Sequence, residues 1–206
     1  MWWWSGRGAT LGVVMGVMVG CSATNPPGRP DDACSIFREK KGWYHEAADA
    51  HERWGVPIAI QLAFVRQESS FDGKAKPPRR TLLGFIPWRR RSTAMGYAQA
   101  LESTWTEYRE STGARGADRD EFGDAVDFIG WYNSRSSKIC SIPKNDAYRL
   151  YLAYHEGPTG YRRGSYRRKD WLITTARKVA SRANTYQVQL ARCEPELRKK
   201  KRGWFF

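Results

Sequence analysis

Ile60-Gln61-Leu62-Ala63-Phe64-Val65-Arg66-Gln67-Glu68-Ser69-Ser70-Phe71 is the stretch whose reading decides the rest of the chain. Counting from Ile58, Leu62 and Val65 fall at i+4 and i+7 with Ala63 beside them, the apolar spacing of one helix face. Pro57 stands where a first-turn proline is tolerated, so a helix is predicted to begin near Val56. Two serines, Phe71, Asp72 and Gly73 then end it. Glu68 lies one turn beyond Val65, at the end of this apolar helix. A carboxyl there can lose part of its water, which raises its pKa and lets it hold a proton near neutrality. An ordinary solvated glutamate is the alternative reading of the same position.

The chain has 206 residues, enough for one domain with a core and appendages. A hydrophobic content of 41% rules out a disordered chain, and 14% aromatic residues suit a core or a groove lined with rings. The formal charge of +14 favours an anionic partner, whether nucleic acid, a membrane face or an acidic cell-wall polymer. The N-terminus narrows this. Residues 11–20, LGVVMGVMVG, are too short to span a bilayer but suit the apolar core of a signal peptide. Met18-Val19-Gly20-Cys21 resembles a bacterial lipobox, with Met18 where leucine is usual. That resemblance implies removal of residues 1–20, lipid modification of Cys21 and, with Ser22 following, an outer-membrane lipoprotein facing the periplasm. Exported in this way, the chain is not expected to bind nucleic acid despite its charge.

Residues 21–33 read as the lipidated cysteine and a flexible tether, 34–193 as the domain, and 194–206 as a solvated basic tail. Within the domain, helices are predicted over Trp43–Trp54, stopped by Gly55, and then over the Ile58–Glu68 stretch. Further helical patterns cover Ser103–Arg109, Asp120–Ser137, Asn145–Glu156 and Asp170–Cys193. Residues 157–168, GPTGYRRGSYRR, read as a basic, aromatic loop. Residues 74–92 read as a long irregular loop with an apolar centre through Leu82, Phe85 and Trp88. Such a loop suits a lid, a tip that dips into a lipid interface, or a segment packed on its own domain. No strand run stands out, so the fold class is mainly α. In an oxidising compartment Cys34, Cys140 and Cys193 allow three single pairings, among which the sequence does not choose; Cys34 and Cys193 flank the domain and could clasp its ends, which would leave Cys140 free. The cysteine spacing does not suit a zinc site, and no metal or other cofactor is expected.

Three short pieces occur in order: Gln67-Glu68-Ser69-Ser70-Phe71, Gly96-Tyr97-Ala98-Gln99 and Ala153-Tyr154-His155-Glu156-Gly157. Together they resemble the Glu-Ser, Gly-Leu-Met-Gln and Ala-Tyr-Asn motifs of the lytic transglycosylase catalytic domain, a goose-lysozyme-like family that cleaves bacterial peptidoglycan. The resemblance covers Cys34 to Cys193. It implies a lysozyme-like helical domain with a substrate groove, and a lyase reaction that leaves 1,6-anhydro-MurNAc ends. Glu68 would be the catalytic acid and base, Tyr154 would hydrogen-bond and orient it, and Ser69 and Gln99 would contact substrate or shape the groove. Tyr97 and His155, which stand at motif positions, join this substrate-orienting set, and Gly96 would let the backbone come close.

Tyr97-Ala98 replaces the family's Leu-Met, His155-Glu156 replaces Asn-Ala, and the 79–91 loop lengthens the gap between the first two motifs. Read without the resemblance, Tyr154 is equally a core tyrosine, and Ser69 and Gln99 are equally cap or turn residues. Asp72 or Glu156 would supply a second carboxylate if the enzyme were a water-using muramidase instead. A peptidoglycan-binding lipoprotein without activity is the alternative outside enzymes. The oligomeric state is not readable from the sequence.

Overall fold

The computed structural model describes residues 25–199 except 78, 83–85 and 91, and for the rest of 79–90 it describes backbone pairing alone. The signal segment, Cys21, the end of the tail, Phe85, and the side chains of Leu82 and Trp88 therefore lie outside the described residues.

Among the described residues seven α-helices carry the fold: α1 (Ala33–Glu39), α2 (Trp43–Trp54), α3 (Ile58–Ser69), α4 (Glu102–Thr112), α5 (Phe122–Cys140), α6 (Ala147–Arg162) and α7 (Asp170–Lys199). The architecture is mainly helical, consistent with a lysozyme-like domain. A short antiparallel ribbon, β1 (Arg79–Leu82) and β2 (Ile86–Arg90), separates α3 from α4.

The opening stretch is the hub. Every residue of α3 from Ile58 to Val65 is buried, Gln61 included. The apolar stripe read from the sequence therefore understates the burial: α3 is a central helix packed against α2, α5 and α7, with Phe64 also meeting α6. The Gln61 amide donates to Val56 O at 2.9 Å, while its Oε1 is buried without a hydrogen-bond partner. Exposure returns only at Arg66, so Glu68 arrives just as the helix leaves the core.

Around α3, α2 packs on α5, α5 on α6 and α6 on α7. Trp43 of α2 stacks on Phe122 of α5 with centroids 3.8 Å apart and a 4° interplanar angle. Asp127 of α5 accepts from Trp54 Nε1 and from the Tyr108 hydroxyl, both at 2.7 Å, and pairs with Arg53 at 3.2 Å. One carboxylate thus satisfies the polar tips of two large aromatic side chains that would otherwise be costly to bury.

Four sequence expectations are corrected. The 74–92 segment is not irregular throughout, because Arg79 pairs with Arg90, Thr81 with Pro87 and Leu82 with Ile86. Pro87 hid this ribbon, yet a two-stranded ribbon has a free outer edge on each strand where proline is tolerated. Residues 157–168 are not a loop. The chain kinks at Gly157 (φ 72°, ψ 157°), which a side chain would resist, and continues helically to Arg162. A 3-10 turn, Ser165–Arg168, follows.

The domain also exceeds the predicted 34–193 span at both ends. Helix α7 runs on to Lys199, because Leu190, Cys193 and Leu197 continue one buried stripe and Glu194 accepts from Tyr44 at 3.0 Å. The described end of the tether is docked: Gly28 N donates to Glu39 at 2.9 Å, the Tyr186 hydroxyl donates to Pro30 O, and Asp32 caps α1. A Cys34–Cys193 disulfide joins α1 to α7, and Cys140 is a free thiol.

Candidate active site

Glu68 sits in the last turn of α3. The two residues after the helix end, Ser70 (φ 53°) and Phe71 (φ 66°), both take left-handed backbone conformations. Two such residues in succession are strained, and Phe71 is held there by full burial beside Trp43, with centroids 6.1 Å apart. The buried ring fixes where α3 stops and hence where Glu68 points. Glu68 keeps part of its surface accessible but is otherwise packed round by protein. Burial pushes its carboxyl up to about 7, against a smaller opposing pull from the Tyr151 hydroxyl. Such a carboxyl holds a proton near neutrality and can also give it up, the property required of a group acting as acid and then base.

The tyrosine hydroxyl that opposes the rise of the Glu68 carboxyl is that of Tyr151, not that of the expected Tyr154. Both lie on the α6 face that meets α3, their ring edges meeting Phe64 with centroids 5.3 and 5.2 Å away. The Tyr154 hydroxyl donates instead to Ala98 O at 2.7 Å. It still feels the carboxylate: burial first, then the nearby Glu68 charge, raise its pKa well above the usual phenol value. Tyr154 thus ties α6 to the 96–99 turn, while Tyr151 acts on the acid.

That turn is made by sterics that only glycine meets. Gly96 has φ 78°, and a Cβ on it would lie 1.9 Å from Arg119 O. Gly96 N donates to Ala75 O at 3.0 Å and Tyr97 N to Arg119 O at 3.2 Å. The Gln99 amide donates to Ala75 O and to Gly96 O, both at 2.9 Å, so its donors hold the turn. Ser69 donates back to Val65 O at 3.1 Å within its own helix. Tyr97 is 1% exposed and packs edge-on against Trp43 and Phe122. It is core, and the structure corrects its expected place in the groove: in this turn the large aromatic ring inserts into the α2–α5 interface.

A groove of about 290 Å³ runs beside these elements, lined by Gln99, Leu101, Phe128, Tyr132 and Tyr154 and, at one end, by His155, Glu156 and Gly157. Glu68 is not in this lining and connects to it through Tyr154. A larger cavity, about 710 Å³, lies at the other end of α3 near Pro57, Ile60 and Ala183, away from the three motifs.

The Glu156 side chain is 4% exposed and fully engaged. Lys169 Nζ lies 2.6 Å and His155 Nδ1 3.0 Å from its Oε1, and Ser165 donates to Oε2. Burial would raise this carboxyl, but those hydrogen bonds outweigh it and bring it down to about 2. Asp72 accepts from the Lys74 amide at 2.8 Å in a local turn. Among the described residues no cluster of three His, Cys, Asp or Glu side chains could hold a metal ion.

Sequence reading missed Tyr151 as a partner of Glu68, and Lys169 as a partner of Glu156. Tyr151 was visible only as one of several apolar positions on α6, although its spacing three residues before Tyr154 puts both on one helix face. The Glu156–Lys169 pairing spans a kink and a 3-10 turn and leaves no local signature.

No curated protein matches the chain. The family model described as Transglycosylase SLT domain matches residues 9–193, which takes in all three motifs and reaches upstream of Cys34. With most of its length covered by that match, and with a buried carboxyl near neutrality at the first motif, this chain belongs to the transglycosylase SLT domain family.

Proposed function

We propose that the protein is a peptidoglycan lytic transglycosylase that cleaves the β-1,4 bond between MurNAc and GlcNAc and leaves 1,6-anhydro-MurNAc ends. The observation that carries this reading is the Glu68 carboxyl, raised to about 7 by burial at the exit of the central helix. Protonated Glu68 gives its proton to the glycosidic oxygen as the bond to the anomeric carbon breaks, through an oxocarbenium-like state. The carboxylate so formed takes the proton of the MurNAc 6-hydroxyl as that oxygen closes on the anomeric carbon. Glu68 ends as it began, and no water is consumed.

An intramolecular closure needs one carboxyl. Glu156, the one carboxylate among the described groove-lining residues, is held ionised by Lys169, which supports this reading over a hydrolysis that calls for a second, free base. In this scheme Tyr151 orients Glu68. Tyr154, Gly96 and Gln99 shape the groove, Ser69 and His155 flank it, and Tyr97 supports the turn from the core. By the same reading the chain is an outer-membrane lipoprotein facing the periplasm, anchored through Cys21, and it acts in cell-wall remodelling.

Digestion of purified sacculi in ¹⁸O-water tests the chemistry. Released muropeptides are expected to be anhydro species without label. Labelled reducing ends would make the enzyme a muramidase, and binding without release would make it a wall-binding protein. Cys21→Ala is expected to abolish incorporation of labelled palmitate and to release the protein from the membrane fraction.

A further inference from the structure

Residues 161–171 form a basic surface that the scheme above does not use. Arg162, Arg163, Arg167 and Arg168 are all exposed. Among the described residues the neighbouring ion pairs go elsewhere, Lys169 to Glu156 and Arg149 to Asp146, and no carboxylate pairs with any of these four. Four uncompensated guanidinium groups on one short turn repel each other, and a mobile loop would relieve that by spreading. This turn is held together. Ser165 and Lys169 both bind the enclosed Glu156 carboxylate, and Tyr161 stacks on Tyr166 with centroids 5.3 Å apart at 19°.

The turn is also tied to the groove wall. Glu156, which anchors it, lines the groove together with His155. Trp171, 57% exposed, meets the His155 ring edge-on at 5.0 Å. The exposed indole thus meets the groove wall at His155, and the arginine-bearing turn is tied to that wall through Glu156.

We infer that this shelf is a subsite for the carboxylates of the peptide stems borne by a glycan strand in the groove, an inference that rests on the peptidoglycan reading above. Guanidinium groups match carboxylates in planar, bidentate geometry, and an exposed indole suits the face of a sugar or the aliphatic part of a stem. This tie to the groove selects a ligand that occupies both at once, which an anionic bilayer does not. The stems then bind beside the His155 end of the groove, and the enzyme prefers peptide-bearing strands to bare glycan.

The test is a variant with Arg162, Arg163, Arg167 and Arg168 all changed to Gln. It is assayed for binding and for turnover on peptide-bearing glycan strands and on strands stripped of peptide by an amidase. The preference for peptide-bearing strands is expected to fall by about tenfold, mainly in KM, and less at high salt. A variant with Arg177, Lys178, Arg192 and Lys199 changed to Gln loses the same charge elsewhere and is expected to keep the preference. An unchanged preference in the shelf variant overturns the inference, as does an equal loss in both variants. Loss of binding to phosphatidylglycerol vesicles with the strand preference intact would assign the shelf to lipid instead. If wild type cleaves neither substrate, the transglycosylase reading fails, and the binding preference still decides the shelf.

Discussion

The Tyr151 hydroxyl acts on the Glu68 carboxyl in the direction opposite to the burial that raises it to about 7. The phenol therefore limits how far the carboxyl's pKa climbs, and in the proposed scheme it also orients the group. Tyr151→Phe removes both effects while keeping the ring against Phe64. Glu68 must be protonated to act as acid, so activity is present below its pKa and lost as pH rises through it. The variant is expected to lose about tenfold in kcat, with the alkaline limb of its pH profile moved upward. Tyr154→Phe, which loses the bond to Ala98 O, should leave that limb nearer its wild-type position. A pH–rate series on soluble glycan strands separates the two, and a downward move for Tyr151→Phe would contradict the assignment.

Glu68→Gln should abolish turnover and stabilise the fold at alkaline pH. The folded carboxyl is raised from an ordinary 4.5 to about 7. Its contribution to stability is thus fully present below 4.5 and lost as pH rises through about 7. Glutamine does not titrate, so the wild type should lose about 2 kcal/mol more than the variant between pH 5 and pH 8. This figure is kept below the full linkage value because Glu68 retains some solvent contact. Reversible urea unfolding at the two pH values, with the Cys34–Cys193 disulfide intact, reads the difference directly. Equal slopes would mean that Glu68 is not perturbed.

How far the sequence revealed this molecule depended on how local each signal was. Helix α2 was readable to the residue because its stop is a single glycine, Gly55. The long apolar run before Glu68 raised its burial as one reading and left an ordinary solvated glutamate as the other. The ribbon at 79–90 was not, since its two short strands carry proline and arginine and pair across residues outside any periodic pattern. Tyr97 misled because a motif gives position along the chain but not direction: its backbone lies at the turn while its ring fills the core. Beyond the local Gly28–Glu39 and Asp32 contacts, the docking of residues 30 and 194 depends on partners more than a hundred residues away, Tyr186 for Pro30 and Tyr44 for Glu194. Contacts of that range leave no trace in composition.

Gly96→Ala should be among the most destabilising single changes outside the hydrophobic core. Its Cβ would meet Arg119 O at 1.9 Å, against backbone that is itself pinned by the Tyr97 amide. The positive φ adds strain to the clash. A loss of about 3 kcal/mol is expected, with turnover falling because the turn that holds Tyr154 and Gln99 shifts. Chemical denaturation measures the first and a strand-cleavage assay the second. A loss under about 1 kcal/mol would show that the turn moves freely and is not a rigid support.

Glu156→Gln separates the structural carboxylate from the catalytic one. If Glu156 served as a base for water, its amide would stop the reaction. If it serves to hold Lys169 and Ser165, the amide should retain cleavage with anhydro products and lose stability. The sign of the pH effect follows from its depressed pKa. The stabilisation is present above the ordinary 4.5 and is lost as pH falls through about 2. The variant should therefore be less stable than wild type at pH 7, by about 1–2 kcal/mol after allowing for a half-exposed Lys169, and the gap should close toward pH 2. Product mass spectrometry and urea unfolding across that range check both parts. Hydrated products from wild type that vanish in the variant would reverse the roles assigned to Glu68 and Glu156.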